Sequence, residues 1–208
     1  MTRIIGGAAG GRRIATPRGA ATRPTSDRVR EALFSAVEAW CGSLQGLRFL
    51  DLYAGSGAVG LEAWSRGAGV VTLVEQDRRT AALVRDNART LGFARADVVA
   101  ASVGATLHRP PTAPYDVVFS DPPYPLDEAS VARDLAALVE HGWLVPDALV
   151  VVERSARTPE PAWPEGIERV RERRYGETVL WYGRAAHATD EPSTDDASAD
   201  ASDDGSPT

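Results

Sequence analysis

At 208 residues, with a single cysteine (Cys41) and no apolar stretch in its first thirty positions, the sequence fits one α/β domain with small additions, excludes an internal disulfide, and leads us to expect a soluble cytoplasmic protein. All 23 basic residues are arginine, a bias that a GC-rich genome would also leave, so the phosphate loop that depends on lysine is excluded, and with it nucleotide hydrolysis by that route. The net charge of −6 belongs to the end of the chain: residues 185–208 carry seven acids and no arginine, and without them 22 acids face 23 arginines.

Residues 1–46 read as a basic amino-terminal extension. Its first thirty positions hold seven arginines against one acid, Asp27. Such an arm either suits a polyanionic partner or is merely solvated. "RIIGG" and "RRIAT" flank a glycine-rich "AAGG", which predicts a β-hairpin, and "TPRGAATRPT" predicts a proline-broken loop. Thr25, Ser26 and Asp27 offer capping chemistry to a helix whose apolar face is Val29, Leu33, Val37 and Trp40, ending near Gly42.

From residue 47 to 184, apolar runs alternate with amphipathic stretches, the texture of parallel strands buried between two layers of helices. Strands are predicted at "LRFLDLY", "VVTLVE", "ADVVAA", "YDVVFS" and "ALVVVE". Val84, Ala88 and Leu91 mark one helical face between them, and Val131, Leu135, Leu138 and Val139 another. "IERVRERRY" and "ETVLWYG", parted by Gly176, predict an antiparallel hairpin at the sheet edge. Residues 185–208 contain almost nothing that packs and are expected to be an acidic disordered tail.

Two segments carry chemistry. In "DLYAGSGAVGLEA", directly after a strand, Gly55, Gly57 and Gly60 satisfy G-x-G-x-x-G, a weak pattern alone. Small residues let the chain turn and let a ligand approach the backbone, and the next helix presents free N–H groups. Glu75 ends the second strand, 18 residues after Gly57, where an acid accepts hydrogen bonds from ribose hydroxyls. Dinucleotides and S-adenosylmethionine both fit this much. Asp51, four residues before Gly55, favours the cationic ligand, because a fixed carboxylate there would repel a pyrophosphate.

These residues resemble the first motif of class I methyltransferases. The resemblance implies that Asp51 and the loop over Tyr53, Ala54, Gly55, Ser56 and Gly57 hold the methionine part of S-adenosylmethionine. It further implies that Glu75 holds the ribose and that Gln76 borders the adenine pocket. Many relatives place Asp or Asn after the third strand for the adenine amino group; here the sequence has Ala100, Ala101 and Ser102, and Ser102 is the substitute considered.

The second segment is "DPPY", Asp121 to Tyr124, at the carboxyl end of the fourth strand. An exocyclic amine on a nucleobase is a poor nucleophile, because its lone pair is delocalised into the ring. Asp121 can accept one of its N–H groups and the Pro122 carbonyl another, and Pro122 and Pro123 stiffen the backbone that aims them. Tyr124 offers a flat surface to a base taken from its stack. DPPY marks amino-methyltransferases acting on adenine, cytosine or guanine without choosing among them.

The segment "RIIGGAAGGRRIATPRGAATRPTSDRVREALFSAV", together with "DLYAGSGAVGLEA" and "DPPY", is similar to the RsmD family over most of residues 3–184. The resemblance implies a doubly wound, mostly parallel seven-stranded Rossmann-like methyltransferase sheet with a C-terminal antiparallel hairpin. It implies methylation of guanine N2, at position 966 in bacterial reference numbering, in 16S rRNA of the small ribosomal subunit or its assembly intermediate. A monomer is expected. Arg3, Arg12, Arg13 and Arg18 on the hairpin and loop are placed to reach phosphates. Arg23, Thr25 and Arg28 either fold over the site or cap the first helix. His108, His141 and His187 with Cys41 lack metal-ligand spacing, so no metal is expected. The alternatives are an N6-adenine methyltransferase acting on DNA or RNA, a dinucleotide oxidoreductase, and a non-catalytic ribosome-assembly binder.

Overall fold

The computed structural model describes residues 2–17, 26–93, 95–123 and 126–186. Tyr124, Arg18, Arg23, Thr25 and the acidic tail from His187 onward lie outside the described residues.

A two-stranded antiparallel ribbon comes first, β1 (Thr2–Arg3) with β2 (Arg13–Ile14), around a short 3-10 turn at Gly7–Ala9. Helix α1 (Asp27–Cys41) follows, and then β3 (Arg48–Leu52), α2 (Ala58–Ser65), β4 (Val70–Val74) and α3 (Arg78–Leu91). The remainder is β5 (Asp97–Val99), α4 (Val103–Leu107), β6 (Tyr115–Ser120), α5 (Glu128–Glu140), β7 (Leu144–Ser155), β8 (Ile167–Tyr175) and β9 (Thr178–Ala185). The last seven strands form one sheet in the order β5-β4-β3-β6-β7-β9-β8. β3 through β7 run parallel, and β9 returns antiparallel to both β7 and β8. This is the α/β sheet with a terminal antiparallel hairpin that the apolar runs predict.

Local chemistry explains the boundaries. Ser26 caps α1 by accepting from the Val29 N–H at 3.3 Å, and the helix stops at Gly42, φ 74°. Asp77 caps α3 through the Thr80 N–H at 2.8 Å, and Gly92 ends it in the left-handed region. Sheet strands are apolar on both sides because both sides are covered. One face packs on α1, α2 and α3 through Leu33, Phe34, Leu61, Val84, Phe119 and Leu180; the other packs on α4 and α5 through Leu52, Leu107, Val118, Leu135 and Val150.

The amino-terminal hairpin is seated on α2. Ile4, Ala9 and Ile14 are buried in the same cluster as Leu61 and Ala63. The ribbon is shorter than "RIIGG" and "RRIAT" suggest, because the N–H groups of Ile5 and Gly6 leave the ladder for the Glu62 carboxylate, at 2.6 and 2.8 Å. Ser65 Oγ accepts from the Ala9 N–H and donates to the Gly6 carbonyl. Gly7, with φ +74°, passes so close to α2 that a Cβ there would lie 1.9 Å from the Ser65 carbonyl oxygen. Gly11, φ +81°, has nothing within 4 Å of its Cβ position.

Gly7→Ala therefore carries both a backbone penalty and a backbone clash, whereas Gly11→Ala carries only the first, about 1 kcal/mol. We expect Gly7→Ala to lower the thermal midpoint by several degrees more than Gly11→Ala, at about 2–4 °C per kcal/mol for a chain of this size. Equal midpoints in calorimetry would mean that the hairpin is not seated as described.

Candidate functional site

The site lies where the sheet changes direction. From β3 the chain proceeds to β4 on one side, while β6 lies on the other, so the loops after β3 and β6 leave adjacent strand ends. Asp51 pairs with Phe119 and Leu52 with Ser120, and the Asp121 N–H approaches the Leu52 carbonyl at 3.5 Å. The glycine loop and the DPP turn thus leave neighbouring strand ends.

The glycine loop owes its shape to its small residues. Tyr53 (φ 64°), Gly55 (φ 55°) and Gly57 (φ 80°) all take positive φ, and Tyr53 is one of two non-glycine residues to do so among the described residues. A Cβ on Gly60 would lie 2.7 Å from Leu73 Cδ2, so only glycine lets α2 pack this closely on β4. The amide of Gly60 donates to Asp51 Oδ2 at 2.8 Å.

Asp51 is 1 % exposed and stands beneath the loop, with the Gly60 amide on its carboxylate. Burial pushes its carboxyl up to about 8; the Gly60 N–H counteracts this, and the charges of Asp121 and Glu75 add to it. Glu75 is half-buried, and both its oxygens hold backbone: Oε2 accepts from the Gly55 N–H at 3.0 Å and Oε1 from the Asp77 N–H at 2.8 Å. It thereby ties the glycine loop to the segment that follows β4. Ala54 is buried, and its N–H donates to the Val74 carbonyl at 2.9 Å, while Gln76 is exposed.

Ser102 is the cap of α4, its Oγ accepting from the Ala105 N–H at 3.3 Å. The residue is exposed, and this capping bond occupies one of the two lone pairs of its hydroxyl oxygen.

In the DPP turn, Asp121 is half-buried and Pro122 buried, and the Pro123 carbonyl accepts from the Leu126 N–H at 2.9 Å. The turn leads into α5, capped by Asp127 through the Ser130 N–H at 2.6 Å. Helix α5 is tied back to the glycine loop, because Tyr53 Oη donates to Asp134 Oδ2. Burial and this bond raise the Tyr53 hydroxyl far above its ordinary range, and burial raises Asp134.

Asn87 is a residue that our reading of the sequence missed. It sits on α3, 4 % exposed, and uses its whole amide. Nδ2 donates to the Ser56 carbonyl at 3.0 Å and to the Ala15 carbonyl at 2.9 Å, while Oδ1 accepts from the Ala15 N–H at 2.9 Å. One side chain therefore joins the amino-terminal segment to the glycine loop. Its signal was in the helical pattern, since a polar residue at 87 falls on the same face as Val84, Ala88 and Leu91.

The arginines divide. Arg12 is exposed, and its guanidinium caps the end of α3, donating to the Leu91 carbonyl at 2.9 Å and to the Thr90 carbonyl, where it also complements the helix dipole. Arg30 is fully buried, its Nη2 donating to Arg3 O, Thr2 Oγ1 and Asp27 Oδ1, and so it fastens the hairpin to α1. Arg3 is exposed and paired with Asp27 at 3.1 Å. Arg13 and Arg28 are exposed.

This fold, with a glycine loop after β3 and a DPP turn after β6, defines a class I methyltransferase. A family model described as "Conserved hypothetical protein 95" matches residues 2–184. Ribosomal RNA small subunit methyltransferase D of Escherichia coli strain K12 is 37 % identical over 182 residues, covering 85 % of this chain and 86 % of the relative. The protein of the same name from Haemophilus influenzae is 38 % identical over 160 residues, covering 76 % and 80 %. Among solved structures, one described as a putative methyltransferase from Escherichia coli superposes with a TM-score of 0.79 at 32 % identity, over 89 % of this chain and 98 % of that one. The chain belongs to this RsmD-type family of S-adenosylmethionine-dependent methyltransferases.

Because the Asp51 pKa is raised on folding, its neutral form contributes stability that is complete below the unfolded value near 3.8 and is lost as pH rises through about 8. A bound sulfonium opposes that shift by favouring the carboxylate. We therefore expect S-adenosylmethionine to gain affinity over S-adenosylhomocysteine as pH rises from about 6 to 8, with proton release on binding, and Asp51→Asn to abolish that gain. Titration calorimetry in buffers of different ionisation heat checks this; a pH-independent ratio in the parent protein would count against Asp51 acting on the ligand charge.

Proposed function

We propose that the chain transfers the methyl group of S-adenosylmethionine to the N2 amine of a guanine in 16S rRNA of the small ribosomal subunit or its assembly intermediate, in the bacterial cytoplasm. The observation that carries this reading is the placement of Asp121 beside the glycine loop, on neighbouring strand ends. The residue-level support is a carboxylate positioned to accept an N–H, prolines that limit how its turn bends, and a loop suited to a compact cationic donor. The printed names of the relatives supply the ribosomal small subunit as the source of the nucleic acid.

When bound, S-adenosylmethionine supplies an electrophilic methyl group on a positively charged sulfur, so the acceptor needs orientation more than a strong base. Asp121 and the Pro122 carbonyl are assigned the two N–H groups of the amine, which turns its lone pair out of the ring and toward the methyl carbon. Asp121 would also be placed to take the proton that the amine must lose on methylation, with solvent as the other acceptor. Asp51 and Glu75 hold the loop and the edge of the crevice and take no part in bond making. Asn87, Tyr53 and Asp134 position the loop and the turn.

Asp121→Ala is expected to lower turnover at least about 100-fold. Its S-adenosylhomocysteine affinity should stay within about tenfold, or roughly 1.4 kcal/mol. Asp121→Asn keeps an acceptor and should retain more activity than the alanine variant. The assay is methylation of small-subunit RNA with labelled donor, digested to nucleosides. Label in N6-methyladenosine instead of N2-methylguanosine would move the protein to the adenine alternative, and undiminished turnover by Asp121→Ala would remove Asp121 from the chemistry.

A further inference from the structure

We propose that the β8–β9 edge hairpin is a second phosphate-contact surface for the RNA, with Arg171 and Arg173 as its contacts. This rests on the functional reading above and extends it to the flank of the site opposite β4 and β5.

The pairing across the sheet places these residues. Phe119 of β6 pairs with Val151, Val151 with Tyr182, and Tyr182 with Arg171. In the next row Ser120 pairs with Val152, Val152 with Trp181, and Trp181 with Glu172. One step further, Asp121 follows Ser120 while Glu153 pairs with Leu180 and Leu180 with Arg173. Arg173 therefore stands in the transverse row of Asp121, three strand spacings away, which is about 14 Å.

The face is also the right one. Directly opposed residues of an antiparallel pair share a face. Leu180 and Tyr182 pack in the cluster of α1, α2 and α3, so Arg171 and Arg173 rise on that side. Phe119 belongs to the same cluster, and Asp121 follows the end of β6 two residues on. The Asp51 carboxylate that feels the charge of Asp121 meets α2 on this side as well. Trp40, near the end of α1, donates to the Asp147 carbonyl at the far end of the sheet, so α1 begins at the catalytic rim. Exposed Arg28 lies in that first turn, the end of a helix where a cation gains nothing from the dipole.

Part of the charge on and beside the hairpin is paired. Arg169 pairs with Glu160 and Glu172, Arg184 with Glu168, and Arg157 with Glu177. Among the described residues, Arg171, Arg173 and Arg174 have no carboxylate partner; Arg174, opposite Val179, lies on the other face and donates to the Gly176 carbonyl, whereas Arg171 and Arg173 lie on the face of Leu180 and Tyr182. Arg171 lies over the Tyr182 ring, 4.9 Å from its centroid, and Arg173 is exposed. Discouraging another strand from pairing with the edge would require charge of either sign on either face. Beyond that edge charge, Arg171 and Arg173 put two cations without carboxylate partners on the face that carries the site.

The test is Arg171→Gln with Arg173→Gln, set beside Arg171→Lys with Arg173→Lys. Binding of 16S rRNA transcript and of small subunits is measured against salt, with methylation kinetics on the same material. Each phosphate contact on a single strand contributes about 0.7 to the slope of log K against log salt. The glutamine pair should flatten the slope by about 1.4, raising KM for RNA several-fold with a smaller change in kcat, and the lysine pair should restore the slope. S-adenosylhomocysteine affinity and thermal midpoint report whether the variants remain folded. An unchanged slope and KM in a folded glutamine variant, with normal methylation by the parent protein, would overturn the hairpin contact and leave the functional reading standing. Failure of the parent protein to methylate either RNA would overturn that reading itself.

Discussion

The bond from the Gly60 amide to the buried Asp51 carboxylate is the point from which the rest of the site is measured. It anchors the first turn of α2 to the end of β3, and it forms only because position 60 has no side chain to hold α2 away from Leu73. A carboxylate with 1 % exposure is expensive to ionise, and its pKa near 8 reports that cost. The fold tolerates it because α2 supplies an amide from the positive end of a helix. Two further carboxylates, Glu75 and Asp121, crowd the same strand ends and disfavour its charge. A crevice lined in this way is an unfavourable place for a pyrophosphate and a favourable one for a ligand that brings positive charge.

From that anchor the architecture spreads through α2. Its outer side holds the amino-terminal hairpin through Glu62 and Ser65, and its first turn closes the glycine loop. Glu62 is fully buried, and its acceptors are filled by two backbone amides and by Arg66. The hairpin is consequently part of the same body as the cofactor loop, sharing its hydrophobic cluster.

What was legible in the sequence was whatever depends on period and on chain order. Alternating apolar runs gave the parallel strands, Gly176 marked the hairpin turn, and the placement of DPPY after one strand and the glycines after another put both motifs at strand ends. Side-chain commitments were not legible, because they depend on neighbours distant in sequence. Arg12 and Arg30 count as surface charge in any composition, yet one caps α3, 78 and 79 residues away, and the other is buried against Asp27 and the backbone of β1. That Ser102 caps α4 depends on where the helix begins, which its sequence neighbours alone do not fix. Asp51 was rightly singled out as a carboxylate near the loop; its depth was invisible because burial is set by how closely α2 approaches.

Asn87 shows why these distant commitments matter for chemistry. A buried amide that satisfies three backbone groups leaves up to three unmet polar atoms if it is removed, each costing about 1–3 kcal/mol. Such a residue holds Ala15 and Ser56 at one fixed separation, so a force applied to the segment leading out of the hairpin is felt at the carbonyl of the glycine loop. A long flexible tether would let RNA and methyl donor bind without reference to each other. The short, fully used amide does not, because whatever orders Ala15 also orders the loop that faces the donor. The arrangement therefore makes the segment that leaves the hairpin and the glycine loop one rigid unit.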